Sequence, residues 1–226
     1  MGKKYLVVNL KTYSESSGRN AVKIAKAIES ELGKRKRKDI EAIVCPQATD
    51  LLLVSKAVKK VRVFAQHSDL VSPGKNTGFL GPSALFLSGA KGTLLNHAEH
   101  QVDKGVLGKT ISLCRERGLV TIACATDEGD SAIVAKLSPD FVSVEHPELI
   151  GSGISVSSSK PEVISGSVKA VRANSPGAKV LCGAGISSGE DVRKAIELGS
   201  EGVLLASYIT LAKDVKKAVR EILSGF

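Results

Sequence analysis

Phe141-Val142-Ser143-Val144-Glu145 carries a short strand-forming run directly into a carboxylate. The same grammar recurs: Tyr5 to Val8 leads into Asn9 and Lys11, and Thr93 to Leu95 leads into Asn96 and His97. Runs at Ile40 to Val44, Val61 to Phe64, Val120 to Ala123, Val180 to Leu181 and Val203 to Leu205 bring the series to eight candidate strands. They alternate little between polar and apolar, which fits strands buried on both faces. Between them lie stripes with helical spacing, such as Ala21, Ile24, Ala25, Ile28 and Leu32. Pro161-Glu162 and Ser187-Ser188-Gly189-Glu190-Asp191 read as helix starts, and Gly33, Gly118 and Gly199 as helix ends. Strands alternating with helices on crossovers long enough to return parallel predict an α/β fold, an eight-stranded parallel β/α barrel. Periodicity alone also admits an open doubly wound sheet. In a barrel, chemistry belongs on the loops after the strands.

The chain has 226 residues and is 42% hydrophobic, enough for a substantial core, and one domain over residues 1–226 is expected. No stretch approaches the roughly 18 uncharged apolar residues of a membrane span, and no signal-peptide core follows Met1. A soluble, cytoplasmic protein without membrane association is expected. Cys45, Cys114, Cys124 and Cys182 sit in or beside apolar runs without the close spacing of a zinc or redox motif, so they read as buried thiols. The net charge of +9 raises the question of a polyanionic partner. Yet the densest basic run, Lys34 to Lys38, has no interleaved aromatic residues, and no nucleic-acid partner is expected.

Five segments together carry a family resemblance: Val8-Asn9-Leu10-Lys11, Leu95-Asn96-His97-Ala98-Glu99-His100, Glu145-His146-Pro147-Glu148-Leu149-Ile150-Gly151-Ser152-Gly153, Cys182-Gly183-Ala184-Gly185-Ile186-Ser187 and Leu204-Leu205-Ala206-Ser207. In this order and spacing they resemble the motifs of the triosephosphate isomerase family, in its short archaeal form. The resemblance implies a TIM barrel that interconverts dihydroxyacetone phosphate and D-glyceraldehyde 3-phosphate through an enediolate, in glycolysis and gluconeogenesis, with no cofactor and no metal.

By that resemblance Glu145 is the base that removes the carbon-bound proton, work that suits a carboxylate sheltered from water. His97 is the electrophile at the substrate oxygens. A histidine held neutral by a helix N-terminus is a known property of the resembled family itself, and residues 98–116 read here as a loop entering a helix. Lys11 supplies positive charge, Glu99 orients it by an ion pair, and Asn9 donates a hydrogen bond beside it. The phosphate falls to backbone amides at Ile150, Gly151, Gly185, Ala206 and Ser207, small or loop residues that let the chain approach a dianion. Residues 147–156 correspond to a closing lid, stiffened by Pro147.

Three positions depart from the family pattern: His146 stands where proline is usual, Ala98 where serine is usual, and Tyr208 where a small residue is usual. Tyr208 either crowds the phosphate end or points away. Two rival readings stay open. His67, Asp69, His97 and His100 admit a metal-dependent barrel enzyme. A silent barrel serving as a scaffold is a second, although it would most simply have lost Lys11, His97 or Glu145. The loop from Gln66 to Pro82 is long for a barrel. In the resembled family that loop docks into a neighbouring subunit, which implies a homo-oligomer, with a tetramer favoured over a dimer.

Overall fold

A computed structural model describes residues 2–34, 39–145 and 160–226. Its strands are β1 (Lys4–Asn9), β2 (Ile40–Cys45), β3 (Arg62–Ala65), β4 (Gly92–Leu95), β5 (Val120–Ala125), β6 (Phe141–Val144), β7 (Lys179–Cys182) and β8 (Gly202–Leu205). Each pairs in parallel with the next, and β8 returns to β1 through Tyr5↔Gly202 to Val8↔Leu205, so the sheet closes into a barrel. Closure removes the open-sheet alternative that periodicity had allowed.

Helices cover the outside: α1 (Arg19–Gly33), α2 (Leu51–Ala57), α3 (Pro82–Leu87), α4 (Lys104–Glu116) and α5 (Glu128–Lys136), then α6 (Pro161–Asn174), α7 (Gly189–Glu197), α8 (Ser207–Thr210) and α9 (Val215–Ser224). Pro161 opens α6, and the Ser188 side chain caps α7 by accepting the Asp191 amide. Gly118 and Gly199 follow their helices at positive φ, whereas Gly33 is the last residue of α1 itself. Lys34 ends that helix and pairs with Glu31 at 2.7 Å, while residues 35–38 of the basic run lie outside the described residues.

Strand geometry sends alternate side chains to opposite faces, and here the two parities build two separate cores. Tyr5, Val7, Ile43, Phe64, Ile122 and Leu181 point inward and form a cluster inside the barrel. Leu6, Val8, Val44, Val142 and Val203 point outward and pack on Ile24 and Ile28 of α1, Val134 of α5, Val168 of α6, Val192 of α7 and Val219 of α9. Each such side chain, fully buried, contributes about 1.5–3 kcal/mol of transfer free energy. At the strands' N-terminal end Tyr5 meets Phe141 edge-on at 4.8 Å, with Lys179 Nζ 5.0 Å above the Phe141 ring. Gly92 leaves room for the Phe64 ring, since a Cβ there would lie 2.5 Å from it. The interior is therefore sealed at one end, and the inward rows run up to polar residues at the other.

All four cysteines are buried and free. Burial pushes the Cys114 thiol up to about 11 and Cys182 to about 12, so neither is a ready nucleophile. Among the described residues, no helix is long and apolar enough to cross a membrane.

Candidate active site

The inward row of β6 runs Phe141, Ser143 and then, just past the strand, Glu145. Backbone pairing continues that far, because the Glu145 amide donates to Ala125 O at 2.8 Å. The side chain is only 2% exposed. Its Oε1 accepts from Cys124 Sγ at 3.3 Å and from Ser143 Oγ at 3.4 Å. Cys124 and Ser143 are register partners on neighbouring strands, so the sheet itself sets these two donors side by side. Gly183, at the end of β7, makes the space: a Cβ there would lie 2.5 Å from both Glu145 Cγ and Ser143 Oγ.

Glu145 Oε2 has no hydrogen-bond partner among the described residues. It lies 3.3 Å from His97 Nε2, close but not aligned as a hydrogen bond. Burial pushes the Glu145 carboxyl above its ordinary value, opposed by His97, the Cys124 thiol, the Lys11 charge and the Ser143 hydroxyl.

The opposite wall is built from turns. Asn96, next on the inward row of β4, sits at φ 56°, a left-handed conformation uncommon for a residue with a Cβ. Its side chain stabilises that turn by donating to Cys124 O at 2.8 Å and accepting from the Val102 amide at 3.2 Å. The His97 ring that follows accepts the Glu99 amide on Nδ1 at 3.1 Å. A nitrogen that accepts carries no proton, so the imidazole is neutral and presents Nε2–H towards Glu145. The amide responsible belongs to the turn before α4, whose own first amides at Gly105 and Val106 are taken by the Asp103 cap. The sequence reads as a loop entering a helix over residues 98–116, and it is an amide of that loop that reaches His97.

Lys11 is also left-handed, at φ 48°. Its amide donates to Asn9 Oδ1 at 3.0 Å, and its carbonyl accepts from Gln66 Nε2 at 2.9 Å. Gln66 Nε2 also donates to Cys45 O, tying the loops after β1, β2 and β3 together. Lys11 Nζ meets Glu99 Oε1 at 2.5 Å. The Glu99 side chain is 57% exposed, so the pair adds little stability, and its effect is to aim the ammonium.

Lys11, His97, Glu145, Gly185, Ala206 and Ser207 line one pocket of about 310 Å³, at the small end of the roughly 300–1,000 Å³ of small-molecule sites. Tyr13 and Tyr208 also line it, but Tyr208 borders a second cavity beside Lys217 and Glu221 as well and packs against the outer core. Asn9 instead lines a neighbouring cavity of about 550 Å³, shared with Lys11 and His97 but not with Glu145. Ile150, Gly151, His146 and the expected lid at 147–156 lie outside the described residues. In the second cavity His67 and His100 stack at 4.0 Å, and His67 Nε2 is 3.3 Å from Asp69 Oδ1. Among the described residues, no three His, Cys, Asp or Glu side chains gather as a metal ion requires.

Asn96 stood out in the sequence only as a polar strand-end residue beside His97, and Gln66, Cys124, Ser143 and Gly183 were given no part in the site. Counting every second residue inward from the strand ends would have flagged all five, since each lies on that row.

The arrangement can perform one kind of chemistry well. A sheltered carboxylate with one oxygen unpaired among the described residues, a neutral N–H donor and a fixed cation together suit removal of a proton next to a carbonyl. The family model for triosephosphate isomerase matches residues 4–222. The triosephosphate isomerase of Methanothermus fervidus is 48% identical over 99% of this chain and 99% of its own length. That of Methanocaldococcus jannaschii is 45% identical over 96% of this chain and 98% of its own, and that of Methanosarcina mazei 44% identical over 99% of each.

Proposed function

The chain belongs to the triosephosphate isomerase family, and from that membership we propose how its own residues interconvert dihydroxyacetone phosphate and D-glyceraldehyde 3-phosphate. The substrate enters the pocket with its phosphate against the backbone at Gly185, Ala206 and Ser207, joined by Ile150 and Gly151. Its reacting carbon faces Glu145 Oε2, which removes the proton as general base and returns it to the neighbouring carbon. His97 Nε2–H stabilises the enediolate oxygens and moves a proton between them, while Lys11, aimed by Glu99, supplies charge to both enediolate and phosphate. Asn9 acts on Lys11 by accepting its amide, and donates its own side-chain hydrogen bond to the substrate side.

One observation carries this reading: a buried glutamate oxygen without a hydrogen-bond partner among the described residues stands 3.3 Å from the Nε2 of a neutral histidine inside the pocket. A coupled assay with glyceraldehyde 3-phosphate, run with and without chelator, tests it. Turnover that survives chelation is expected. Activity lost on chelation would favour a metal-dependent reaction, and absence of both activity and 2-phosphoglycolate binding would favour a scaffold.

Residues 147–156 serve as the lid that keeps the enediolate from expelling phosphate. A variant with that segment cut to a minimal turn should make methylglyoxal and free phosphate at the expense of isomerisation. Normal isomerisation without that by-product would remove the lid role. The protein acts in the cytoplasm as one domain and as a homo-oligomer, a tetramer in preference to a dimer. Support comes from the loop between β3 and α3, which is pinned at its base by Asp69 and Leu80 yet exposes Phe79 at 57%. Sedimentation of a monomer at micromolar concentration would refute the assembly.

A further inference from the structure

We propose that Ser143 is a positioning residue that, together with Cys124, holds Glu145 by Oε1 and so makes Oε2 the oxygen that takes the substrate proton. The inference rests on Glu145 being the base. Ser143 is fully buried on the inward face of β6, where a hydroxyl has to find an acceptor, and among the described residues it finds Glu145 Oε1 at 3.4 Å. Its register partner Cys124 directs a thiol at the same oxygen from β5 at 3.3 Å. Burial and the adjacent carboxylate keep that thiol protonated, so it remains a donor. The two oxygens of one carboxylate are therefore unlike: Oε1 carries two donors, and Oε2, facing His97, carries none among the described residues. Donors on one oxygen lower its proton affinity and resist rotation of the group, which leaves the lone pairs of Oε2 as the reactive ones. Gly183 leaves the pair its space on the third side, since a Cβ there would reach Ser143 Oγ and Glu145 Cγ together.

Two separable effects follow for Ser143→Ala. Loss of a donor to the charged form raises the Glu145 pKa further, so the acid limb of the kcat/KM profile moves to higher pH. Loss of the hold lets the carboxylate turn, so kcat on the plateau falls about three- to tenfold while KM, set mainly at the phosphate, stays unchanged. Ser143→Thr keeps a hydroxyl at the same place and should restore the wild-type acid limb.

The experiment is a pH–rate series on wild type, Ser143→Ala, Ser143→Thr and Glu145→Gln, paired with the ¹³C titration of the Glu145 carboxyl in the resting enzyme. A shifted limb and lowered kcat in the alanine variant, with the limb restored by threonine, support the proposal. An unmoved limb and unmoved carboxyl titration in Ser143→Ala overturn it, even if the variant melts earlier. Should Ser143→Ala fail to fold, a displaced limb in Ser143→Thr with the carboxyl titration unmoved would overturn it too, and a wild-type limb would support it. Substantial turnover by Glu145→Gln would sink the base assignment and this inference with it, whereas an inactive Glu145→Gln beside an unaltered Ser143→Ala would sink this inference alone.

Discussion

On one side of the pocket Glu145 is held by strands: register puts Cys124 beside Ser143, strand alternation puts Ser143 below Glu145, and Gly183 leaves the room. On the other side Lys11 and His97 are held by turns, with Lys11 at φ 48° and Asn96 at φ 56°. Left-handed backbone at residues with a Cβ costs about 1–2 kcal/mol each. Here the side chains of Asn9, Gln66 and Asn96 stabilise those turns through hydrogen bonds to the backbone. The strand wall therefore gets its geometry as a consequence of the barrel. The turn wall needs dedicated polar residues to keep its shape, and the two walls should respond differently to substitution.

His97→Gln gives the largest of these effects, a fall in kcat of about 10²–10³-fold with an unchanged melting temperature. A smaller loss would transfer the electrophilic role to Lys11. Next comes Gly183→Ala on the strand wall. The added methyl group displaces Glu145 and overpacks a filled interior, at a cost of about 1–3 kcal/mol. In steady-state assays kcat should drop about tenfold or more with KM nearly constant, and wild-type kcat would mean that Glu145 tolerates displacement. Asn96→Ala probes the turn wall: it leaves the Val102 amide without its acceptor and keeps a Cβ at positive φ, so stability should fall by about 1–3 kcal/mol in denaturant. Asn96→Gly relieves the backbone alone and should recover only part of that. Full recovery would show the side-chain bonds to be dispensable.

The smallest effect is one of stability, and it has a sign. Burial raises the Glu145 pKa above its unfolded value, so the folded state holds that proton more tightly and loses stability as pH rises through the raised pKa. Glutamine has no proton to lose. Glu145→Gln should therefore melt above wild type at neutral pH, with the gap closing in acid below the ordinary glutamate range. A gap that widened in acid would mean the carboxylate is stabilised by its surroundings.

The barrel was legible because every strand is a short run buried on both faces, and strand-end residues as unlike as Lys11, His97 and Glu145 stand out against such runs. Ser143 and Cys124 did not stand out, because a small polar residue inside an apolar run reads as core until the inward parity of its strand is known. Gly183 looked like turn punctuation for the same reason: its role depends on a side chain from the adjacent strand. The left-handed backbone at Lys11 has no signature in residue type, whereas asparagine, as at Asn96, is a residue that adopts it more readily than most. Asn9 read as a substrate contact, and the sequence did not show that its Oδ1 also accepts the Lys11 amide while its side chain borders the neighbouring cavity. His67 and His100 read as possible ligands, and their stacking becomes visible only once the loops after β3 and β4 meet.

The most direct test of the account is solvent deuterium incorporation into dihydroxyacetone phosphate, followed by proton NMR with wild-type and Glu145→Gln enzyme at equal 2-phosphoglycolate occupancy in a parallel binding assay. Wild type should exchange the carbon-bound proton, and Glu145→Gln should lose that exchange by about 10²–10⁴-fold while still binding the phosphate analogue. Exchange in Glu145→Gln at near wild-type rate, with binding intact, would contradict the assignment of the buried carboxylate as the base.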